Sequence, residues 1–262
     1  MRIEVNGETA YCYTNSRQIM GDKPSIVFIH GSGMDHTVWT LASRHFARHG
    51  NNVVSVDLPG HGRSTGSALA TVEAMASWVL SVLDALDIPD AALVGHSLGS
   101  LIALECAASH SDRVRAIALV GTTSPMPVSD AILNAAEVDD HAAFDMLTQW
   151  GFSKRHQFGG NRNSGIWMIG NTLRLYERSR PGVLFHDMRA CNEYVTGIDQ
   201  ATKIDCPALM ILGAEDRLTP LRGTRALQEA IPSAMVEVLP GAGHTIMVEA
   251  PNAMLDALHK VL

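Results

Sequence analysis

The chain is predicted to be an α/β protein: a mostly parallel sheet covered by helices on both faces and interrupted by a helical insertion. Three observations predict it. Short apolar runs alternate with helix-periodic segments from Ser25 to Val120 and again from Ala208 onward, as expected for strands buried on both faces. Between about Pro125 and Thr202 the alternation stops and no strong strand pattern occurs. A Gly-x-Ser-x-Gly turn, Gly95-His96-Ser97-Leu98-Gly99, joins one apolar run to one helical pattern.

Each element follows in order. Residues 2–5 and 9–14 read as a hairpin around Asn6-Gly7, which puts antiparallel strands at one edge of the sheet. Ser25 to Ile29 is a buried strand ending at His30-Gly31-Ser32-Gly33, and a helix follows around Val38 to His49. Asn52 to Asp57 is the next strand, running into Leu58-Pro59-Gly60-His61-Gly62-Arg63-Ser64, with a helix at about 71–86. Ala91 to Val94 leads into the Ser97 turn, and Ser100 to His110 is a helix with Leu101, Leu104, Ala107 and Ala108 on one stripe. Val114 to Val120 is a strand. After the insertion come a strand at Ala208 to Leu212, a helix near Leu221 to Ala230, a strand at Met235 to Leu239 and a helix from about Asn252.

The insertion opens with the proline-rich turn Ser124-Pro125-Met126-Pro127 and carries a polar glycine-rich loop, Gly159-Gly160-Asn161-Arg162-Asn163. The expected organisation is a core of residues 1–124 and 203–262 with a helical cap over 125–202. An insertion between two core strands, on the side where catalytic loops lie, reads as a cap or lid.

A chain of 262 residues suits one large α/β domain, or a core plus a modest insertion, and buries a substantial core. The net charge of −7, with no Lys/Arg cluster, argues against a nucleic-acid partner. No apolar run is long enough to span a bilayer, and the first residues lack a signal peptide's apolar stretch. Cys12, Cys106, Cys191 and Cys206 lie far apart without metal spacing, so reduced thiols in a cytoplasmic protein are expected. The histidines include no His-Glu-x-x-His, and there is no Gly-Lys-Ser/Thr phosphate loop. No metal, no cofactor, no membrane and no nucleic acid is therefore expected.

Strand, Gly-x-Ser-x-Gly and helix in succession give the five-residue match its meaning. A dinucleotide-binding turn also joins strand to helix through glycines, but its Gly-x-Gly-x-x-Gly spacing does not fit here. The turn must be sharp, so side chains two before and two after Ser97 would crowd the neighbouring chain, hence Gly95 and Gly99. A serine hydroxyl needs a base at hydrogen-bond distance. Histidine takes that proton and returns it to the leaving group, and a buried carboxylate orients the imidazole. Asp216 follows the strand ending at Leu212, and His244 follows the strand ending at Leu239. All three candidates thus follow carboxyl ends of strands, where open parallel sheets gather their chemistry. The order Ser, Asp, His is the one such elbow enzymes use. Two backbone N–H groups should receive the oxyanion, those of Leu98 and Ser32.

These residues resemble the capped branch of the α/β-hydrolase superfamily. His30-Gly31-Ser32-Gly33 is similar to its oxyanion loop, Asp57 to Ser64 to its Asp-x-x-Gly-His-Gly-x-Ser turn, and Gly95 to Gly99 to its elbow. Gly213 to Pro220 is similar to the acid loop, and Gly243-His244 with Glu249-Ala250-Pro251 to the histidine loop. The resemblance covers the core and implies an α/β-hydrolase fold with a Ser97–Asp216–His244 triad. It implies a metal-free serine hydrolase acting on a small-molecule ester or lactone through an acyl-enzyme, with carboxylesterase the first reading. Enol-lactone hydrolysis and carbon–carbon bond hydrolysis use the same triad, although the Gly31-Ser32-Gly33-Met34-Asp35 loop is short for the latter. Cofactor-free haloperoxidases look alike too. A ligand-sensing protein on a hydrolase fold is the alternative of another class. Ser97 stands where haloalkane dehalogenases and epoxide hydrolases carry aspartate, which argues against both.

Rival residues have plainer readings. Glu215 adjoins Asp216 and competes for the acid position, which Asp216 fits better. Asp57 and His61 read as members of a structural turn, and His30 and His96 as organisers of backbone near the site. In the cap, Met126, Trp150, Phe152, Trp167 and Met168 are candidates for an acyl pocket, some of which should be cap core.

Overall fold

A computed structural model describes residues 1–160 and 166–262. Asn161 to Asn163 of the glycine-rich loop therefore lie outside the described residues. The core runs β1 (Arg2–Val5), β2 (Glu8–Tyr13), β3 (Ser25–Ile29), α1 (Thr40–Arg48), β4 (Asn52–Asp57), α2 (Val72–Ala85), β5 (Ala91–His96), α3 (Leu98–Ser109) and β6 (Val114–Val120). The insertion holds α4 (Asp130–Glu137), α5 (Ala142–Gly151), α6 (Lys154–Gln157), α7 (Met168–Glu177), α8 (Val183–Glu193) and α9 (Gly197–Ala201). The core resumes with β7 (Ala208–Gly213), α10 (Arg225–Ala230), β8 (Met235–Leu239), α11 (Ile246–Glu249) and α12 (Pro251–Leu258).

The strands form one sheet in the order β1-β2-β4-β3-β5-β6-β7-β8. β1 and β2 form the antiparallel hairpin, β2 runs antiparallel to β4, and the remaining pairs are parallel. This is the mostly parallel α/β sheet that the alternating pattern predicts, in the arrangement that the resemblance implies. Strand periodicity sorts the core onto two faces. Val27, Ile29, Val54, Val56 and Leu93 pack with α2 and α3. Ile26, Phe28, Val53, Ala92 and Val94 pack with α1 and α12.

Two helices differ from their expected form. A 3-10 turn at His36–Trp39 precedes α1, capped by Asp35, whose side chain accepts Thr37 N–H. Helix α3 starts at Leu98 and is buried from Leu98 through Ala107, not along one stripe. It is buried all round because it packs between β5 and β6, α2 and α9. Tyr194 and Ala201, at the end of the insertion, join the same apolar cluster as Leu101 and Leu104. Among the described residues, no helix is long and apolar enough to cross a membrane.

Candidate active site

Parallel pairing brings the carboxyl ends of β3, β5, β7 and β8 to one edge of the sheet, and the loops that follow them carry Ser32, Ser97, Asp216 and His244. Ser97 sits between β5 and α3 with φ 51° and ψ −119°, a strained conformation for a side chain with a Cβ. Its amide donates to Val120 O at 2.9 Å, and its carbonyl accepts Ser100 N–H at 2.8 Å. A Cβ on Gly95 would lie 1.9 Å from Gly99 O, and one on Gly99 would lie 2.4 Å from Ile29 O. Close approach, not flexibility, is what these two glycines supply.

Asp216 is buried and ends a short turn. Its Oδ1 accepts Leu218 N–H at 2.9 Å and Thr219 N–H at 2.8 Å, and its Oδ2 accepts the Thr219 hydroxyl at 2.6 Å. Oδ2 also accepts His244 Nδ1–H at 2.8 Å. Burial pushes this carboxyl up, but the charge and hydrogen bond of His244 and the Thr219 bonds outweigh it, and its pKa falls to about 2. Asp216 is thus an anion at neutral pH and acts only as an acceptor. Glu215 is exposed and has no contact with His244 of this kind.

The His244 backbone is gripped by the insertion. Its N–H donates to Gly151 O at 2.8 Å, Thr245 N–H donates to the same carbonyl at 3.2 Å, and Glu249 accepts the amides of Gly243 and Ser153 at 3.0 Å each. His96 packs its ring 4.7 Å from that of His244 and donates Nε2–H to His244 O at 3.0 Å. Burial, then the charge of His244, pushes His96 down to about 3, so it stays neutral.

Ser97, Ser32 and His244 line one cavity of about 160 Å³. Among the described residues, no hydrogen bond joins Ser97 Oγ to His244, and the amides of Ser32 and Leu98 donate to no protein group. Leu98 is the first residue of α3, where a helix leaves its N–H groups free. A larger groove of about 280 Å³, lined by Arg17, Met20 and Asn52, lies at the opposite, amino-terminal edge of β3 and β4.

A family model described as the alpha/beta hydrolase family matches residues 26–257. The chain belongs to the α/β hydrolase family. A pimeloyl-[acyl-carrier protein] methyl ester esterase of Chromobacterium violaceum is 32% identical to this hydrolase over 255 residues, covering 92% of this chain and 95% of that protein. A solved thermophilic esterase is 27% identical with a TM-score of 0.81, covering 99% of this chain and 95% of that one. The enol-lactonase of Burkholderia xenovorans matches in fold, with a TM-score of 0.87 at 22% identity over 100% of this chain and 99% of that one. The protein is a hydrolase enzyme.

The lining of the hydrolase's cavity differs in part from the residues expected for an acyl pocket. Met126 and Trp150 line the cavity, whereas Phe152, Trp167 and Met168 do not. Phe152 is fully buried in the link from α5 to α6, beside the backbone that holds the His244 loop. Trp167 is 68% exposed, with its ring over Gly170 of the next turn, and Met168 is buried at the start of α7 away from the cavity. Ile132, Leu147, Met188, Cys191 and Arg217 line it instead. Composition carried no signal for the first four, because they come from faces of α4, α5 and α8 that only packing selects, whereas Arg217 lies in the loop after β7 beside Asp216. Thr219 had a legible signal, an Asp followed three residues later by a hydroxyl residue, a local capping turn.

Asp57 and His61 do not pair with each other. Asp57 accepts His36 N–H and Nδ1–H at 2.7 Å each and Arg63 N–H at 2.9 Å. Asp35, His36 and Asp57 are the group among the described residues with metal-compatible spacing, but Asp35 is engaged by Thr37 and Arg178. These donors and acceptors are occupied within the turn and by Arg178 at the end of α7.

Proposed function

We propose that this hydrolase cleaves a small carboxylic ester through an acyl-enzyme. Ser97 attacks the carbonyl, His244 takes the serine proton and returns it to the leaving alcohol, and Asp216 holds His244 in the Nδ1–H tautomer. The amides of Ser32 and Leu98 receive the oxyanion. Water then attacks the acyl-enzyme by the same steps in reverse order. The observation that carries the reading is the His244–Asp216 contact of 2.8 Å beside a strained Ser97 in one cavity. His244 Nε2 is left for Ser97, and such a contact tightens when substrate excludes water.

The cavity supports a small substrate. A cavity of about 160 Å³ is close to the size that holds one benzene-sized group. Met126, Ile132, Leu147, Trp150 and Met188 make its wall apolar, which suits a short acyl chain or an unbranched alcohol. Residues 125–202 act as the cap that supplies this wall. The esterase activity of the Chromobacterium violaceum relative agrees with an ester as substrate. The four free cysteines, three of them buried, agree with a cytoplasmic site of action.

The test is a screen of p-nitrophenyl esters of graded chain length, enol-lactones and vinylogous diketones, with Ser97→Ala as control. Steady turnover of short esters, lost in Ser97→Ala, is expected. Turnover of lactones or diketones alone, or only slow single turnover with a large ligand-induced stabilisation, overturns the ester assignment.

A further inference from the structure

Helix α8 presents one side to the candidate site. Leu184, Asp187, Met188 and Cys191 recur at intervals of three and four residues, so they share a face. Met188 and Cys191 line the cavity, and a Cβ on Gly33 would lie 3.0 Å from Leu184 Cδ1. Asp187 between them is fully buried. Its Oδ2 accepts Gly33 N–H at 2.8 Å and His61 Nε2–H at 2.8 Å.

The charges follow from the partners. His61 Nδ1 lies 3.0 Å from Pro59 O, which only accepts. Acceptors at both ring nitrogens favour the doubly protonated ring, the imidazolium. Burial opposes that charge, but the Asp187 carboxylate and the bonds to Asp187 and Pro59 outweigh it and raise the His61 pKa. The neighbouring His30 ring, 4.8 Å away, stays neutral. Burial, then the His61 charge, pushes its pKa down to about 4. His30 Nδ1–H donates to Gly31 O at 2.9 Å, and its Nε2 accepts Leu58 N–H at 3.1 Å.

Ser32 accordingly sits between two peptide planes, each held by a buried side chain. His30 holds the peptide joining residues 31 and 32 by its carbonyl, and Asp187 holds the peptide joining 32 and 33 by its N–H. Ser32 N–H lies in the first of these planes, and the hold on the second limits how far the first can turn about the Ser32 backbone. Stability is a poor reason for this arrangement. A buried ion pair is often matched or bettered by apolar residues of similar volume, and Asp187 Oδ1 is buried with no hydrogen-bond partner among the described residues.

We infer that Asp187 is a positioning residue: with His61, it holds the Ser32 amide in the direction that receives the oxyanion, and it does so from the insertion. The inference rests on the ester-hydrolase reading given above. Its test compares an oxo ester with its thiono analogue. Sulfur is larger and a weaker acceptor than oxygen, so a well-set oxyanion site favours the oxo ester, and a displaced donor erodes that preference. In Asp187→Ala, kcat for the oxo ester should fall about thirtyfold with KM little changed, and the oxo-to-thiono ratio should fall about tenfold. Asp187→Asn keeps an acceptor for Gly33 and should fall less on both counts. Misfolded protein lowers both rates alike and leaves the ratio unmoved. Amide exchange, read by mass spectrometry on the peptide containing residues 31–35, should quicken in both variants, while β5 and α3 stay protected. An unchanged ratio in Asp187→Ala, or unchanged exchange in that loop, overturns the inference. If the wild-type enzyme cleaves neither ester, the ester reading fails, and exchange alone decides whether Asp187 anchors the loop.

Discussion

The candidate site has two halves that are held in different ways. The Ser97 elbow and the Asp216 turn are built from the core itself: the Ser97 amide on Val120 O, Gly95 against Gly99, and the Asp216 carboxylate on its own following amides. The Ser32 loop and the His244 loop are held from the insertion, by Asp187 of α8 and Gly151 of α5. In the proposed mechanism the nucleophile and the acid are held by contacts within the core. The proposed oxyanion amide and base have core contacts as well, from His30, Asp216 and His96, but their loops are also held by the insertion.

The comparison breaks most directly at its core half. Ser97→Ala should lower ester turnover by roughly four to six orders of magnitude, and Asp216→Asn by about three to four, with unfolding midpoints near wild type. Ester hydrolysis by Ser97→Ala at near wild-type rate would end the mechanism.

The insertion half is tested at its seam. A Cβ on Gly243 would lie 2.6 Å from Ser153 N and 2.8 Å from Gly151 O. Gly243→Ala should thus push the His244 loop off its support, costing about 1–3 kcal/mol of stability. Activity should fall about a hundredfold, while a small fluorophosphonate still labels Ser97 slowly. Unaltered kinetics would show that the insertion does not hold the base.

The His61–Asp187 pair adds a pH signature. A raised imidazole pKa stabilises fully below the unfolded value of about 6.5, and the contribution is lost as pH rises through the higher folded value. His61→Gln leaves Asp187 without its cationic partner and should cost about 3 kcal/mol near pH 6. Asp187, His30 and Asp57 are the ionisable groups facing His61, and the gap to wild type should narrow toward pH 9 as the His61 proton leaves. Urea unfolding at both pH values reads this, and a gap that widens with pH contradicts the pairing.

Smaller effects belong to the cavity wall. Met188→Ala and Trp150→Ala should shift preference among acyl chain lengths by about tenfold, because each methylene in an apolar pocket is worth about 1–3 kcal/mol. Labelling of Ser97 should persist, and an unchanged chain-length profile would remove the wall from specificity. Trp167→Ala, at an exposed position outside the cavity, should change stability by less than about 0.5 kcal/mol and leave the profile alone.

The amino-acid sequence by itself determined the parts whose signals are local. Strand alternation and helix period marked the core elements, and glycine spacing marked the sharp turn at Ser97. The end of each strand indicated which loops would meet, because a parallel sheet collects its carboxyl ends at one edge. Only the tertiary structure decided which side chains of the insertion face that edge. Aromatic content made Phe152 and Trp167 plausible wall residues, yet one is buried behind the His244 loop and the other lies in solvent. Nothing in the mixed segment Val183 to Glu193 singles out Asp187. It meets His61 across 126 residues of chain and Gly33 across 154. The physical reason is range. Propensity and periodicity act over a few residues, whereas the partner of a buried charge is set by where distant segments pack.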